Sequence, residues 1–192
     1  EVPSRGLGDV YKRQIKYFGD YIMTSTLSVS KIQGLATAAS PTTVEIASGH
    51  KITGSAGALS LPGLILQTVN KTSTTQLSLT STSFIITDLT VNITPSSSSN
   101  KVLVIASLPV YATANHQIGT IYRDSTNIGG SSWGLGAGTS GIIGMAGGAI
   151  LDSPNTTSQI TYAVYTRTNA GNTSYAMINS SMGTITAMEI GQ

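Results

Sequence analysis

The chain has 192 residues, of which 9 % are charged and 40 % hydrophobic, with ten basic side chains against eight acidic ones and no cysteine. An average domain is about 25 % charged, and disorder usually pairs high net charge with low hydrophobicity, so this composition excludes both an acidic or basic tail protein and a disordered one. Without cysteine there is no disulfide framework and no thiolate metal site. The length fits one domain plus an extension, and about 130 residues suffice to bury roughly two-thirds of their unfolded surface.

In chain order, Ser4 to Gln14 (SRGLGDVYKRQ) resembles the in-frame translation of a sequencing-library adapter, and residues 1–22 are set aside as an artefact. Ile15 to Ile22 (IKYFGDYI) is the one piece of it that also reads as a short strand, and Met23 is the expected natural start. From Met23 onward six bases face five acids, so the apparent basicity belongs largely to the excluded segment and no nucleic-acid binding is expected. Residues 23–60 form an extended N-terminal connecting segment, with short strands around Leu27 and Val29 and over Thr43 to Ala47, and a hinge at Gly54 to Ser60 (GSAGALS). Its few apolar residues do not offset an ordering cost of about 1–2 kcal/mol per residue. The segment is therefore expected to be loose or packed on something else, such as sister chains.

Residues 61–192 read as an all-β domain. Leu64 to Val69 and Gln76 to Leu79 are predicted strands, followed by Phe84 to Ile86 and by Leu89, Val91 and Ile93 in period-2 alternation. The two apolar sets differ in parity, which predicts a bulge near Thr87-Asp88 that brings Phe84 and Ile86 to the face of Leu89. The run PSSSSN (Pro95 to Asn100) predicts a hairpin, because proline lacks an N–H and serine and asparagine compete for backbone hydrogen bonds. Its second arm, Val102 to Ala106, is apolar throughout and predicts a strand covered on both faces. Asp124-Ser125-Thr126 predicts another hairpin, and the loop Asp152 to Ser158, ahead of Ile160, Tyr162 and Val164, a third. Asn169 to Asn172 turns the chain, and Tyr175 to Ile178 and Thr184 to Ile190 close the sheet. Turn signals about every ten residues point to an antiparallel β-sandwich, jelly-roll-like, or a barrel.

Chemistry is sparse. Glu45, Asp88, Asp124, Asp152 and Glu189 form no spaced motif, and the three aspartates fall at predicted turns, where such side chains bond their own backbone. His50 and His116 lie in loop-like contexts, and any triad built from His116 with one of many serines depends on geometry rather than spacing. Gly136 to Gly141 (GAGTSG) matches a dinucleotide pattern but precedes more glycine rather than a helix. Ser125 to Leu151 is uncharged, yet Trp133 to Leu151 holds seven glycines, each costing a helix about 1 kcal/mol relative to alanine, so loops and twisted edge strands are expected there and no membrane span. No enzyme activity, cofactor or metal is expected, nor glycosylation at the Asn-x-Ser/Thr sites. Exposed aromatic rings and short polar donors on loops are what non-catalytic recognition needs. The candidates are Trp133 and Tyr122 on the stretch 122–133, and Asn172 and Tyr175 on 169–175; for Trp133, packing in the core or between chains is the competing role.

The pieces TSTLSVSKIQG, SGHKITG with PGLILQTV, TDLTVNITPSSSSNKVLVIASL, RDSTNIGG, LDSPNTTSQITYAV and TITAMEI, in that order, make residues 23–192 similar to tail-fibre-type structural proteins of marine tailed bacteriophages. The resemblance implies a non-enzymatic virion protein, synthesised in the host cytoplasm and assembled into the tail. It also implies a connecting segment, a C-terminal β domain and usually a homotrimer, with other tail proteins as partners and a host-surface glycan or protein as a possible contact. It supplies no catalytic residues. A bacterial surface adhesin or carbohydrate-binding module of similar architecture is the alternative; Met23 to Gly34 has no apolar export signal, which favours assembly into a particle.

Overall fold

The computed structural model describes Ser48 and residues 62–192; the adapter segment, the strands expected within 23–60 and the hinge at 54–60 lie outside the described residues. Two antiparallel sheets face each other. The first contains β1 (Ile65–Ser73), β2 (Leu77–Leu79), β4 (Lys101–Ala112), β8 (Gly144–Asp152), β10 (Ser174–Ala176) and β11 (Gly183–Ile190). The second contains β3 (Ile85–Ile93), β5 (His116–Arg123), β6 (Thr126–Asn127), β7 (Gly136–Thr139) and β9 (Ile160–Thr168). Strand β4 carries β8 along one edge and β11 then β10 along the other, with β1 and β2 outside these. Taking β1 with β2 and β10 with β11, the sheets read β1–β11–β4–β8 and β3–β9–β5–β7. This is the order of an eight-stranded jelly roll, as the spacing of turns in the sequence led us to expect.

Alternation decides which side chains meet between the sheets. Leu89, Val91 and Ile93 of β3 face Val102, Val104 and Leu108 of β4, joined by Ile121, Tyr162, Val164 and Ile185, all buried in one core. Each such aliphatic side chain contributes about 1.5–3 kcal/mol by leaving water.

Four sequence expectations change. The PSSSSN stretch does not close a hairpin: β3 and β4 belong to different sheets, and residues 94–100 carry the chain across the sandwich. The apolar sides of the two arms find each other face to face, which turn chemistry alone does not distinguish from side-by-side pairing. The loop after Asp152 likewise crosses between β8 and β9, whereas Asp124-Ser125 does close a hairpin, with Tyr122 opposite Asn127 and Asp124 at φ 50°. The register of β3 does shift, but by two residues where one was expected: Ile86 pairs with Tyr165 and Thr90 with Ala163, four steps against two. A two-residue shift keeps the parity of the strand, so Thr87 faces inward with Leu89 and Ile86 stays 48 % exposed. The Thr87 hydroxyl donates to the carbonyl of Val164 (2.9 Å) and accepts from the N–H of Leu89 (3.2 Å), filling the bulge with hydrogen bonds. Finally, β4 is covered on one face only: Val102 and Val104 are fully buried, but Ile105 is 42 % exposed.

The glycine-rich stretch forms β7, β8 and the turn between them, neither a nucleotide loop nor a membrane helix. Here the second sheet approaches the first through glycines. A Cβ on Gly119 of β5 would stand 2.9 Å from Ala146 of β8, and one on Gly138 of β7 would overlap Val110 of β4. Among the described residues no helix is long and apolar enough to cross a membrane.

Two substitutions test this packing. Val104→Asp places an unpaired carboxylate in the core at a cost of several kcal/mol against a total stability of about 5–15, so no cooperative thermal transition should remain. Gly119→Val should lower the melting temperature by several degrees, corresponding to about 1–3 kcal/mol of overpacking. A wild-type-like melting curve for either variant contradicts the sandwich interior described above.

Candidate functional site

The same alternation that buries Tyr162 and Val164 turns Tyr165 and Arg167 to the outer face of the second sheet, and β5 presents His116 and Tyr122 beside them. The loop between β6 and β7 folds back over this face. Leu135 donates its N–H to the carbonyl of Gly119 (2.9 Å), and Gly134, at φ 57°, passes so close to β5 that a side chain would collide with it. Trp133 therefore sits on top of the sheet, 55 % exposed, edge-on to His116 with ring centres 5.3 Å apart.

Arg167 positions this loop. Its Nη2 donates to the carbonyl of Ser132 (2.6 Å), the residue before Trp133, while Nη1 reaches the carbonyls of Thr168 (3.3 Å) and Thr82 (3.5 Å). The guanidinium also lies 5.2 Å from the centre of the Phe84 ring, a contact worth about 0.5–1 kcal/mol at an exposed site. Phe84 meets Tyr122 edge-on at 6.1 Å, and Tyr122 stacks on Tyr165 at 4.0 Å. The result is two groups of rings on one face, Tyr165–Tyr122–Phe84 and His116–Trp133, bridged by Arg167, which reaches the Phe84 ring and the Ser132 carbonyl. Among the described residues the one ion pair joins Arg123 to Asp152, so Arg167 keeps its charge uncompensated by a carboxylate.

Of the residues picked from the sequence, Trp133 and Tyr122 share this face and are linked through Arg167 and Phe84. Asn172 lies on the loop 169–173 at the His116 end: Asn169 donates its N–H to the carbonyl of His116 (3.1 Å) and accepts from the N–H of His116 through Oδ1 (3.0 Å). Tyr175 does not join them. It is on β10 opposite Tyr111, with ring centres 6.4 Å apart, on the outer face of the other sheet. The exposure of Trp133 also excludes the intramolecular core as its place. Phe84, Tyr165, Arg167 and His116 were missed as contact residues. The outward parity of Tyr165 and Arg167 was readable from Tyr162 and Val164, whereas the position of Phe84 depends on the bulge.

The remaining polar groups hold the sandwich together. Asp152, at the end of β8, receives Nη1 of Arg123 at 2.9 Å on both carboxylate oxygens and the hydroxyl of buried Tyr162 at 2.6 Å, tying the first sheet to β5 and β9 of the second. Burial, then the hydrogen bond to Asp152, raises the Tyr162 phenol well above its usual range. Asp124 accepts the N–H of Thr161 on β9 (2.9 Å) and Asp88 the Ser73 hydroxyl (2.5 Å), so the hydrogen bonds of the three aspartates join separate segments where bonds to their own turns were expected. Among the described residues no three histidine, aspartate or glutamate side chains gather around a common metal position.

Glu189 is fully buried, and among the described residues no cation pairs with it. Its carboxylate accepts from Gln67 Nε2 (2.6 Å), Asn100 Nδ2 (2.6 Å), and the N–H (2.7 Å) and hydroxyl (2.8 Å) of Ser96. Burial, the largest single influence, opposes ionisation, but the donors from Asn100, Gln67 and Ser96 together outweigh it and the carboxyl is held below its ordinary value. A depressed folded-state pKa stabilises the fold above the unfolded value of about 4.3 and loses that contribution as pH falls through the folded value. Melting temperatures should thus drop as pH is lowered below about 4. Glu189→Gln should cost about 1.5–3 kcal/mol at pH 7 and weaken that acid dependence; an unchanged pH profile in the variant rules the clamp out.

No protein-family model matches the chain, and no curated protein matches it. Among solved structures, the infectious bursal disease virus VP2 subviral particle is similar with a TM-score of 0.41 and 17 % identity over 65 % of this chain and 33 % of that one. The structure of the Gx strain of the same virus gives 0.40 and 15 %, over 66 % and 34 %. The chain spans about a third of the length of the solved chains it matches, and the fold assignment rests on the strand order itself.

Proposed function

We propose that the protein is a non-enzymatic structural component of a virion, of tail-fibre type, and that the outer face of its second sheet contacts the host surface. The observation that carries this reading is the exposed ring of Trp133, set on a loop that Arg167 and Gly134 fix against a rigid sheet. Leaving a tryptophan in water forfeits a large hydrophobic contribution, and the hydrogen bonds from Arg167 to Ser132 and from Leu135 to Gly119 hold the loop against the sheet while the ring stays uncovered. The sequence similarity of residues 23–192 to tail-fibre-type proteins supports the virion assignment, and the jelly roll is a fold that virion proteins share with lectins. Tyr122, on the same face, and Asn172, on the loop beside His116, extend the contact; the occupant is a glycan or protein of the cell surface.

Trp133→Ala, carried in the assembled particle, should reduce adsorption to host cells at least tenfold, the effect of about 1.4 kcal/mol, and leave the melting temperature within about 2 °C of wild type. Full adsorption by the stable variant removes Trp133 from the contact. A large loss of stability assigns the ring to packing.

A further inference from the structure

The outer face of the first sheet carries no charge in its central rows, and its β4 and β8 side is apolar where a solvated sheet normally presents polar residues. Its cross-strand rows run Thr68–Met188–Leu103–Leu151, then Asn70–Thr186–Ile105–Ala149, then Thr72–Thr184–Ser107–Gly147. Leu151 is 52 % and Ile105 42 % exposed, and Met145 farther along β8 is 56 % exposed. These rows contain no charged residue; Lys101, opposite Ile190, stands at the corner of the face.

We infer that this face packs on the same face of a second copy of the chain, sheet on sheet about a twofold axis. Four strands at about 4.8 Å spacing and nine residues at about 3.4 Å each give a face of roughly 19 by 30 Å. That is about 600 Å² from each copy and about 1,200 Å² in the pair, at the lower limit of specific interfaces. Absence of charge makes the face compatible with itself, because stacking it on a copy opposes no like charges. Gly147 and Ala149 keep the β8 side low enough for the approach of about 10 Å that packed sheets require. A surface that meets its own copy is isologous and closes as a dimer. The contact is independent of the host-facing role proposed for the opposite face, and it is twofold where the resemblance implies a threefold association.

The full-length protein should sediment at micromolar concentration with twice the chain mass. Ile105→Lys should halve that mass while keeping the β-sheet circular-dichroism spectrum, and Leu151→Lys, on the neighbouring strand, should do the same if the first variant does not fold. Ile142→Lys, on the turn between β7 and β8 where Ile142 is 62 % exposed, should remain dimeric. A monomeric wild type, a threefold mass, or a dimer that survives both Ile105→Lys and Leu151→Lys overturns the inference.

Discussion

A carboxylate without a counter-ion fixes the route of the chain at one end of the sandwich. Glu189 lies on β11, next to the C-terminus, yet two of its partners, Ser96 and Asn100, belong to the connection that carries the chain from the second sheet to the first. A third, Gln67, also donates to the carbonyl of Thr94 in that connection. Asn100 in turn accepts the N–H of Gln192 (3.1 Å). One buried charge thus ties β1, the crossing segment and β11, and a buried charge is tolerated only when its hydrogen bonds are complete. The position of β4 between β8 and β11 follows from that crossing, and with it the identity of the two outer faces.

Those faces differ in a way that single-chain stability does not require. On the second sheet the outward residues include aromatic rings, in stacked and edge-on contacts, and an arginine that hydrogen-bonds loop carbonyls. On the first they are leucine, isoleucine and methionine among threonines, with nothing from the described chain above them. Aliphatic residues gain by shedding water and are indifferent to orientation, which suits contact with a large, flat partner. Rings and polar donors at fixed positions suit recognition. The jelly roll separates the two by placing them on opposite sides of one core.

Much of the interior was legible in the sequence. The alternation of Leu89, Val91 and Ile93, and of Ile160, Tyr162 and Val164, identified inward faces because the side-chain period of a strand is a local property. Which strands pair is not local. Pro95 to Asn100 reverses the chain whether its arms join one sheet or two, and only the fit of both apolar faces around one core decides. Glu189 gave no signal because its donors come from positions 67, 96 and 100. The glycines of β7 and β8 looked like loop material, since the absence of side chains becomes a packing feature only once the other sheet is seen to lie against them. Trp133 was correctly singled out as the one tryptophan of the chain, but its two neighbours in space, His116 and the Ser132 carbonyl held by Arg167, were not.

The division of labour between the faces can be read from a single fluorophore. Trp133 is the only tryptophan, so quenching of its emission by iodide or acrylamide reports access to the second sheet alone. If the first sheet's face joins the copies, the quenching constant should be the same in dilute, dissociated protein and in concentrated, associated protein. A marked fall in quenching on association would place Trp133 inside the assembly and contradict the account.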